Sequence, residues 1–257
     1  MNHLVSVVTP AHNSSAFISE TVESILNQDY PFFELLIVDD NSSDDTWQII
    51  SNFSRLDKRI ICLKYDYSIG PSIARNAAIA LSKGRFIAFC DSDDIWHPSK
   101  LSSQLKLFDS CTVSVVFSPI VLIDEASAVI GVRNCPHRLS LASLYYRNFI
   151  PCSSAVYDTS LVGKVYMPNF SKRQDYALWL SILSQGHFAL SCDQAFVSYR
   201  IRSKSLSSNK FLASLYHFRV LRACVDLTFV ESLYYFLIYV VTSFFPSLTR
   251  LFVAFSD

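Results

Sequence analysis

Apolar residues fall in short unbroken runs through the first hundred positions: "LVSVVTP" (4–10), "FELLIVDD" (33–40), "RIICLKY" (59–65) and "RFIAFCD" (85–91). Runs of this length without polar alternation suit strands buried on both faces, as in a parallel sheet. The segments between them carry a different period. In "AFISETVESILNQ" the apolar positions Phe17, Ile18, Val22, Ile25 and Leu26 share one helical face. "SSDDTWQIISNF" opens with the hydroxyls and acids that a helix N-terminus favours. "PSIARNAAIALSKG" starts at Pro71 and stops at Gly84, a helix punctuated at both ends. Strands alternating with helices predict an α/β fold, Rossmann-like, with a mostly parallel sheet, right-handed crossovers and helices on both faces.

Past residue 110 the pattern weakens. "TVSVVFSPIVLIDEASAVIG" predicts two strands and a connection, "QDYALWLSILSQG" (174–186) an amphipathic helix ending at Gly186, and "FALSCDQAFVSYRIR" a strand pair. No repeat or low-complexity linker divides the chain. The expected organisation is one α/β domain over 1–210 and a C-terminal helical segment over 211–257.

That segment contains "LTFVESLYYFLIYVVTSFF" (227–245), apolar and aromatic apart from Glu231 and some hydroxyls, flanked by Arg219, Arg222 and Arg250. Its length is borderline for spanning a bilayer, and Glu231 would be costly at the midplane. A helix lying in the membrane interface, arginines toward anionic lipid, fits better. The alternative is a helix packed on the protein's own core or on a second subunit.

Composition narrows the classes. The 257 residues suffice for a full core, and a formal net charge of +0 gives no electrostatic footprint for nucleic acid. Seven cysteines are scattered without CxxC or Cys/His spacing, as expected of reduced thiols in a cytosolic protein with no structural zinc. "MNHLVSVVTP" lacks the basic-then-apolar layout of a signal peptide, so a cytoplasmic location is expected.

The strand ends hold the candidate chemistry, because open parallel sheets bind ligands beyond their carboxyl ends. Those ends read Pro10-Ala11-His12-Asn13, Asp39-Asp40-Asn41 and Asp91-Ser92-Asp93-Asp94. Three carboxylates within four residues repel one another and call for a positive partner. Carboxylates at i and i+2 across a turn can both reach a divalent cation, and Mg²⁺ or Mn²⁺ favours oxygen ligands with substrate phosphates. Taken alone, Asp91 to Asp94 could also be a solvated acidic loop, and Asp39-Asp40 ordinary turn chemistry.

Taken together, "SVVTPAHNSSAFISETVESILNQDYPFFELLIVDDNSSDDT", "GPSIARNAAIALSKGRFIAFCDSDDIWHPSKL" and "RQDYALWLSIL" resemble the family 2 glycosyltransferases with their GT-A nucleotide-sugar-binding fold. Within that family the chain is similar to bacterial enzymes that build O-antigen, capsule or teichuronic-type polysaccharide. The resemblance spans residues 3–210. It implies that Pro10, His12 and Asp40 line the nucleobase pocket, with His12 standing where the family usually has Tyr. It implies that Arg75 lies near base and phosphates, that Asp91 faces the ribose and the metal, and that Asp93 binds the metal, with Asp94 a bystander. Asp175, after Gln174 where the family commonly has Glu, would be the general base of inverting transfer, its alternative a helix N-cap. Arg200, Arg202 and Lys204 would form a basic lip for a diphosphate, or else surface ion pairs. Trp96 would stack on donor or acceptor, the alternative for it and Trp179 being a place in the core.

The activity so implied is inverting transfer of a hexose, Glc or Gal type, from a UDP-sugar to a polyprenyl-diphosphate-linked saccharide. The reaction would use Mn²⁺ or Mg²⁺ at the inner face of the membrane. A sugar nucleotidyltransferase would be expected to carry a Gly-rich basic loop, and "VVTPAHNSS" has neither glycine nor lysine. An inactive membrane scaffold is the third reading, against which stands the joint presence of Asp40, Asp91, Asp93 and Asp175.

Overall fold

The computed structural model describes residues 3–109, 112–202 and 210–244. The first ninety residues fold with the alternation expected. They form β1 (Val5–Ala11), α1 (Ile18–Leu26), β2 (Phe33–Asp40), α2 (Thr46–Leu56), β3 (Ile60–Tyr65), α3 (Pro71–Leu81) and β4 (Phe86–Phe89). These strands run parallel in the order β3-β2-β1-β4, with Val5 of β1 opposite both Phe33 and Phe86. Successive side chains point to opposite faces, so the strands feed two cores. Val8, Leu36 and Phe89 pack on one side with Trp179, and Val7, Leu35 and Ala88 on the other with Ile25 and Trp96.

Helix α3 ends at Leu81, ahead of the expected stop at Gly84, which is glycine because the chain there passes close to β1. A Cβ there would lie 2.7 Å from the Leu4 carbonyl and from the Ser6 nitrogen. Gly84 N–H instead donates to Ser6 Oγ (2.8 Å), and Ser6 donates to Glu34 (2.6 Å).

The second half adds β5 (Ile95–Trp96), α4 (Lys100–Leu105), β6 (Val113–Phe117), β7 (Ile120–Ile123), β8 (Val129–Arg133), β9 (Arg138–Leu139) and α5 (Leu141–Tyr146). It continues through β10 (Val156–Asp158), α6 (Thr159–Val162), α7 (Gln174–Leu183), β11 (Phe188–Ser191), β12 (Val197–Arg200), α8 (Lys210–Cys224) and α9 (Phe229–Phe244). β10, β6, β11 and β9 extend the main sheet to eight strands, β10 antiparallel to β4 and β6. A four-stranded sheet, β5-β12-β7-β8, stands beside it.

Three expectations are corrected. The stretch 112–131 makes three strands, not two: Pro119 separates β6 from β7, and a turn with Ser127 at φ 63 closes the β7–β8 hairpin. The two strands of "FALSCDQAFVSYRIR" do not pair, since β11 joins β6 in the large sheet and β12 joins β7 and β5 in the small one. Helix α7 is not amphipathic but enclosed, with Gln174, Tyr176 to Leu180, Ile182 and Leu183 all buried. Its outer side is covered by α8, whose Val220 and Leu221 join its core, and α9 packs on α8 and α5. His217 of α8 stacks between Tyr176 of α7 (centroids 5.1 Å apart) and Tyr239 of α9 (4.2 Å).

Among the described residues no helix is long and apolar enough to cross a membrane. Lys204, Arg250 and the end of the aromatic segment lie outside the described residues.

Candidate functional site

The strand order reverses at β1, whose neighbours are β2 on one side and β4 on the other. Beyond that point the polar strand ends converge, as they do where open α/β sheets bind ligands.

Pro10 is a buried residue of β1 opposite Val38. His12 is exposed just past the strand, and its Nδ1 lies 2.6 Å from the Asp40 carbonyl. A carbonyl only accepts, so Nδ1 carries the proton and Nε2 is left to accept, here from Asn13 Nδ2 at 3.2 Å. Asp40 is 5% exposed, and its carboxylate takes the backbone N–H groups of Ile69 (2.5 Å) and Gly70 (2.9 Å) and the Ser68 hydroxyl (3.1 Å). It pins the turn that starts α3, with Gly70 at φ 82 and Pro71 in the first helical turn. That clamp is a role the sequence reading did not assign to it.

Arg75, farther along α3, reaches the acidic turn. Its Nη2 donates to Asp91 Oδ1 at 2.5 Å, and the Asp91 N–H donates to Ser153 Oγ. Asp93 Oδ2 meets Arg202 Nη1 at 3.4 Å. Burial pushes the Asp93 carboxyl up from the ordinary range, the charge of Asp91 adding to the rise. Asp94 is fully buried, accepts the Arg200 N–H on Oδ1 (2.9 Å) and has no partner for Oδ2 among the described residues. Burial, then the charges of Asp91 and Asp93, hold it well above the usual carboxylate range. The three neighbouring acids thus each have a separate partner: Arg75 on Asp91, Arg202 on Asp93 and the Arg200 N–H on Asp94.

The donor set is hard oxygen, which suits Mg²⁺ or Mn²⁺. No group of three His, Cys, Asp or Glu side chains converges among the described residues. The residues therefore fit a cation held by one or two carboxylates together with a ligand's phosphates, the usual mode for Mg²⁺.

Two expected ligand contacts are corrected. Trp96 is 2% exposed, and its indole N–H donates to the Ser153 carbonyl (3.0 Å), so it is a core residue with no face open to a sugar. Arg200 is 3% exposed and is no lip. Its guanidinium ties together the Asp93 carbonyl (2.9 Å), the Asp124 carbonyl (3.0 Å), Ser127 Oγ (2.9 Å) and Glu20 (2.7 Å). It braces the acidic turn from behind. Arg202, more open, remains at the mouth on Asp93.

Asp175 lies in the first turn of α7, half-buried, after Arg173 in the left-handed conformation at φ 63. The Arg173 side chain is held by the Tyr239 hydroxyl of α9. The N-cap position of α7 is Arg173, not Asp175, whose Oδ2 accepts from Asn148 Nδ2 at 2.9 Å. Burial raises its pKa, outweighing the backbone of Tyr176 and the charges of Arg75 and Arg173 that pull it down. Asn148 and Ser153 escaped the sequence reading because both sit in a stretch without period, and only contacts 27 and 62 residues away reveal them.

The sequence profile of Glycosyl transferase family 2 matches residues 6–182. The Escherichia coli UDP-Glc:alpha-D-GlcNAc-diphosphoundecaprenol beta-1,3-glucosyltransferase WfaP is 38% identical over 220 residues, 86% of this chain and 86% of that one. Two solved structures share the fold. S. aureus TarS 1-349 in complex with UDP-GlcNAc has TM-score 0.71 at 22% identity, covering 93% of this chain and 73% of that one. The mannosyltransferase PcManGT from Pyrobaculum calidifontis, in complex with GDP-Man and Mn²⁺, has TM-score 0.71 at 16% identity, covering 99% and 74%.

Proposed function

This chain belongs to glycosyl transferase family 2 and has the GT-A fold, and from that premise we propose that it moves a hexose, Glc or Gal type, with inversion from a UDP-sugar to a saccharide on a polyprenyl diphosphate. The product would enter a bacterial surface polysaccharide such as O-antigen or capsule. The observation that carries the reading is the arrangement around Arg75, with the acidic turn on one side and the half-buried Asp175 on the other. The reaction in the name of the E. coli relative supports the choice of donor and acceptor.

In this reading His12, Pro10 and Asp40 border the base, and Arg75 and Arg202 meet the donor phosphates while keeping Asp91 and Asp93 apart. Asp93, with Asp91, would hold Mn²⁺ or Mg²⁺, whose chemistry is to offset charge on the departing diphosphate. Asp175 takes the proton from the acceptor hydroxyl as its oxygen attacks the anomeric carbon from the face opposite the nucleotide. Asn148 fixes which oxygen of Asp175 is turned to the acceptor.

A lipid-linked acceptor would be met at the inner face of the cell membrane by a peripheral cytoplasmic protein. In support, α9 exposes Val230, Leu233, Tyr234, Leu237 and Val241, and Arg219 and Arg222 stand exposed on α8. The decisive assay incubates the full chain with UDP-Glc or UDP-Gal, Mn²⁺ and a diphosphate-lipid GlcNAc or GalNAc. A disaccharide lipid with an inverted linkage is expected, and no product across a donor panel overturns the reading. Removal of residues 227–257 is expected to release the protein from membranes; an unchanged membrane fraction overturns the surface assignment.

A further inference from the structure

The side of Asp175 away from the donor turn carries groups that the mechanism above leaves unused. Segment 145–148 lies between the base and the C-terminal helices. Asn148 donates to Asp175 (2.9 Å), the Tyr145 carbonyl meets His217 Nε2 (3.0 Å), and Tyr146 meets Tyr235 of α9 edge-on, centroids 5.1 Å apart. Arg147 stands between Asn148 and Tyr146, half-buried, with no hydrogen bond or carboxylate partner among the described residues. Its electrostatic surroundings are positive: it acts on Arg133, and together with Arg173 on His217. Asp175 is the carboxylate that interacts with Arg133 and Arg173 here. The like charges of Arg147 and Arg133 repel, an anion between them relieves that repulsion, and guanidinium geometry suits phosphate oxygens.

Next to Tyr235 the surface changes character. Tyr234 begins an exposed row with Leu237 and Val241, and Val230 extends it one turn back. Spacings of three and four residues put these side chains on one face of α9. From the base outward the order is therefore carboxylate, guanidinium, aromatic ring, aliphatic face.

We propose that this order is the track of the acceptor: its sugar hydroxyl at Asp175, its diphosphate on Arg147 and Arg133, and its prenyl chain along the exposed face of α9. The assignment rests on the proposed lipid-diphosphate acceptor and names where each part of it lies. Polarity along the track matches polarity along such a lipid, group for group, and no nucleotide has that sequence of parts.

Binding of farnesyl diphosphate to the full chain saturated with UDP tests the track by calorimetry, with farnesol and inorganic pyrophosphate measured alongside. The wild-type chain is expected to bind farnesyl diphosphate under UDP saturation, and Arg147→Ala to weaken that binding about tenfold by loss of a charge-assisted phosphate contact. Leu237→Ser, at an exposed position where folding is not at stake, should weaken farnesyl diphosphate and farnesol while leaving pyrophosphate unchanged. UDP affinity should be unaltered in both variants. Wild-type affinity in Arg147→Ala, or loss of farnesyl diphosphate binding when UDP saturates the donor pocket, overturns the track. Transfer is read separately: if these binding results hold while no lipid disaccharide forms, the proposed reaction fails and the diphosphate site stands.

Discussion

Arg75 Nη2 lies 2.5 Å from Asp91 Oδ1, joining the middle of α3 to the acidic turn after β4, and its charge also reaches Asp175. One guanidinium thereby serves both sides of the site. Arg75→Ala leaves Asp91 unpaired beside Asp93, so two like charges face each other without their counter-ion. Because Asp91 is partly open to solvent, we expect a stability loss of about 1–3 kcal/mol, below that of a fully buried pair. Thermal unfolding checks the loss, and UDP calorimetry against pH should show Mn²⁺-dependent binding failing at a higher pH than in the wild-type protein.

Asp175 must be ionised to accept a proton, and burial already raises its pKa. Asp175→Asn should leave UDP affinity intact and cut kcat by about 10²–10⁴-fold. Asn148→Ala removes a hydrogen bond that favours the carboxylate, so the acid limb of the kcat profile should move to higher pH. An unmoved limb means that Asn148 does not hold the base.

The acids of the turn are separable. Asp93→Ala should abolish Mn²⁺-dependent UDP binding, whereas Asp94→Asn keeps the shape of a buried carboxyl whose pKa is raised and should leave that binding within about twofold. The sign for stability follows from linkage. A carboxyl whose folded pKa is raised contributes stability at low pH that is lost as pH rises through that pKa, so Asp94→Asn should flatten this part of the stability profile. Denaturant melts from pH 4 upward measure it.

Lys100 is fully buried over the Trp96 ring (3.9 Å), donates to Gln104 Oε1 (2.7 Å) and has its pKa lowered by burial from 10.5 to about 7. Below about pH 7 both folded and unfolded chains hold the proton, and the folded state carries the full penalty. Between there and 10.5 the unfolded chain binds more protons, so stability should rise with pH. Lys100→Met should remove that slope, as denaturant midpoints from pH 6 to 10 would show.

The strands that end in Asp40 and Asp91 could be read from the chain because each is a short apolar run closed by a polar group, and parallel topology fixes which ends are shared. Asp175 is singled out only by the motif around it. Facing was not. Arg200 and Arg202 are two residues apart, yet β12 turns the first into the fold and leaves the second at the mouth. Trp96 lies two residues past Asp94, and strand pairing with Val197 draws it inside. Helix α7 reads as amphipathic only while α8 and α9 are ignored.

The clamp at Asp40 has a consequence for how substitutions combine. Asp40 holds residues 68–70, these set the first turn of α3, and Arg75 hangs from the same helix onto Asp91. Positions 40 and 91 should therefore couple thermodynamically without touching. A double-mutant cycle of Asp40→Asn with Asp91→Asn should return an interaction energy of about 0.5 kcal/mol or more, where independent sites would simply add.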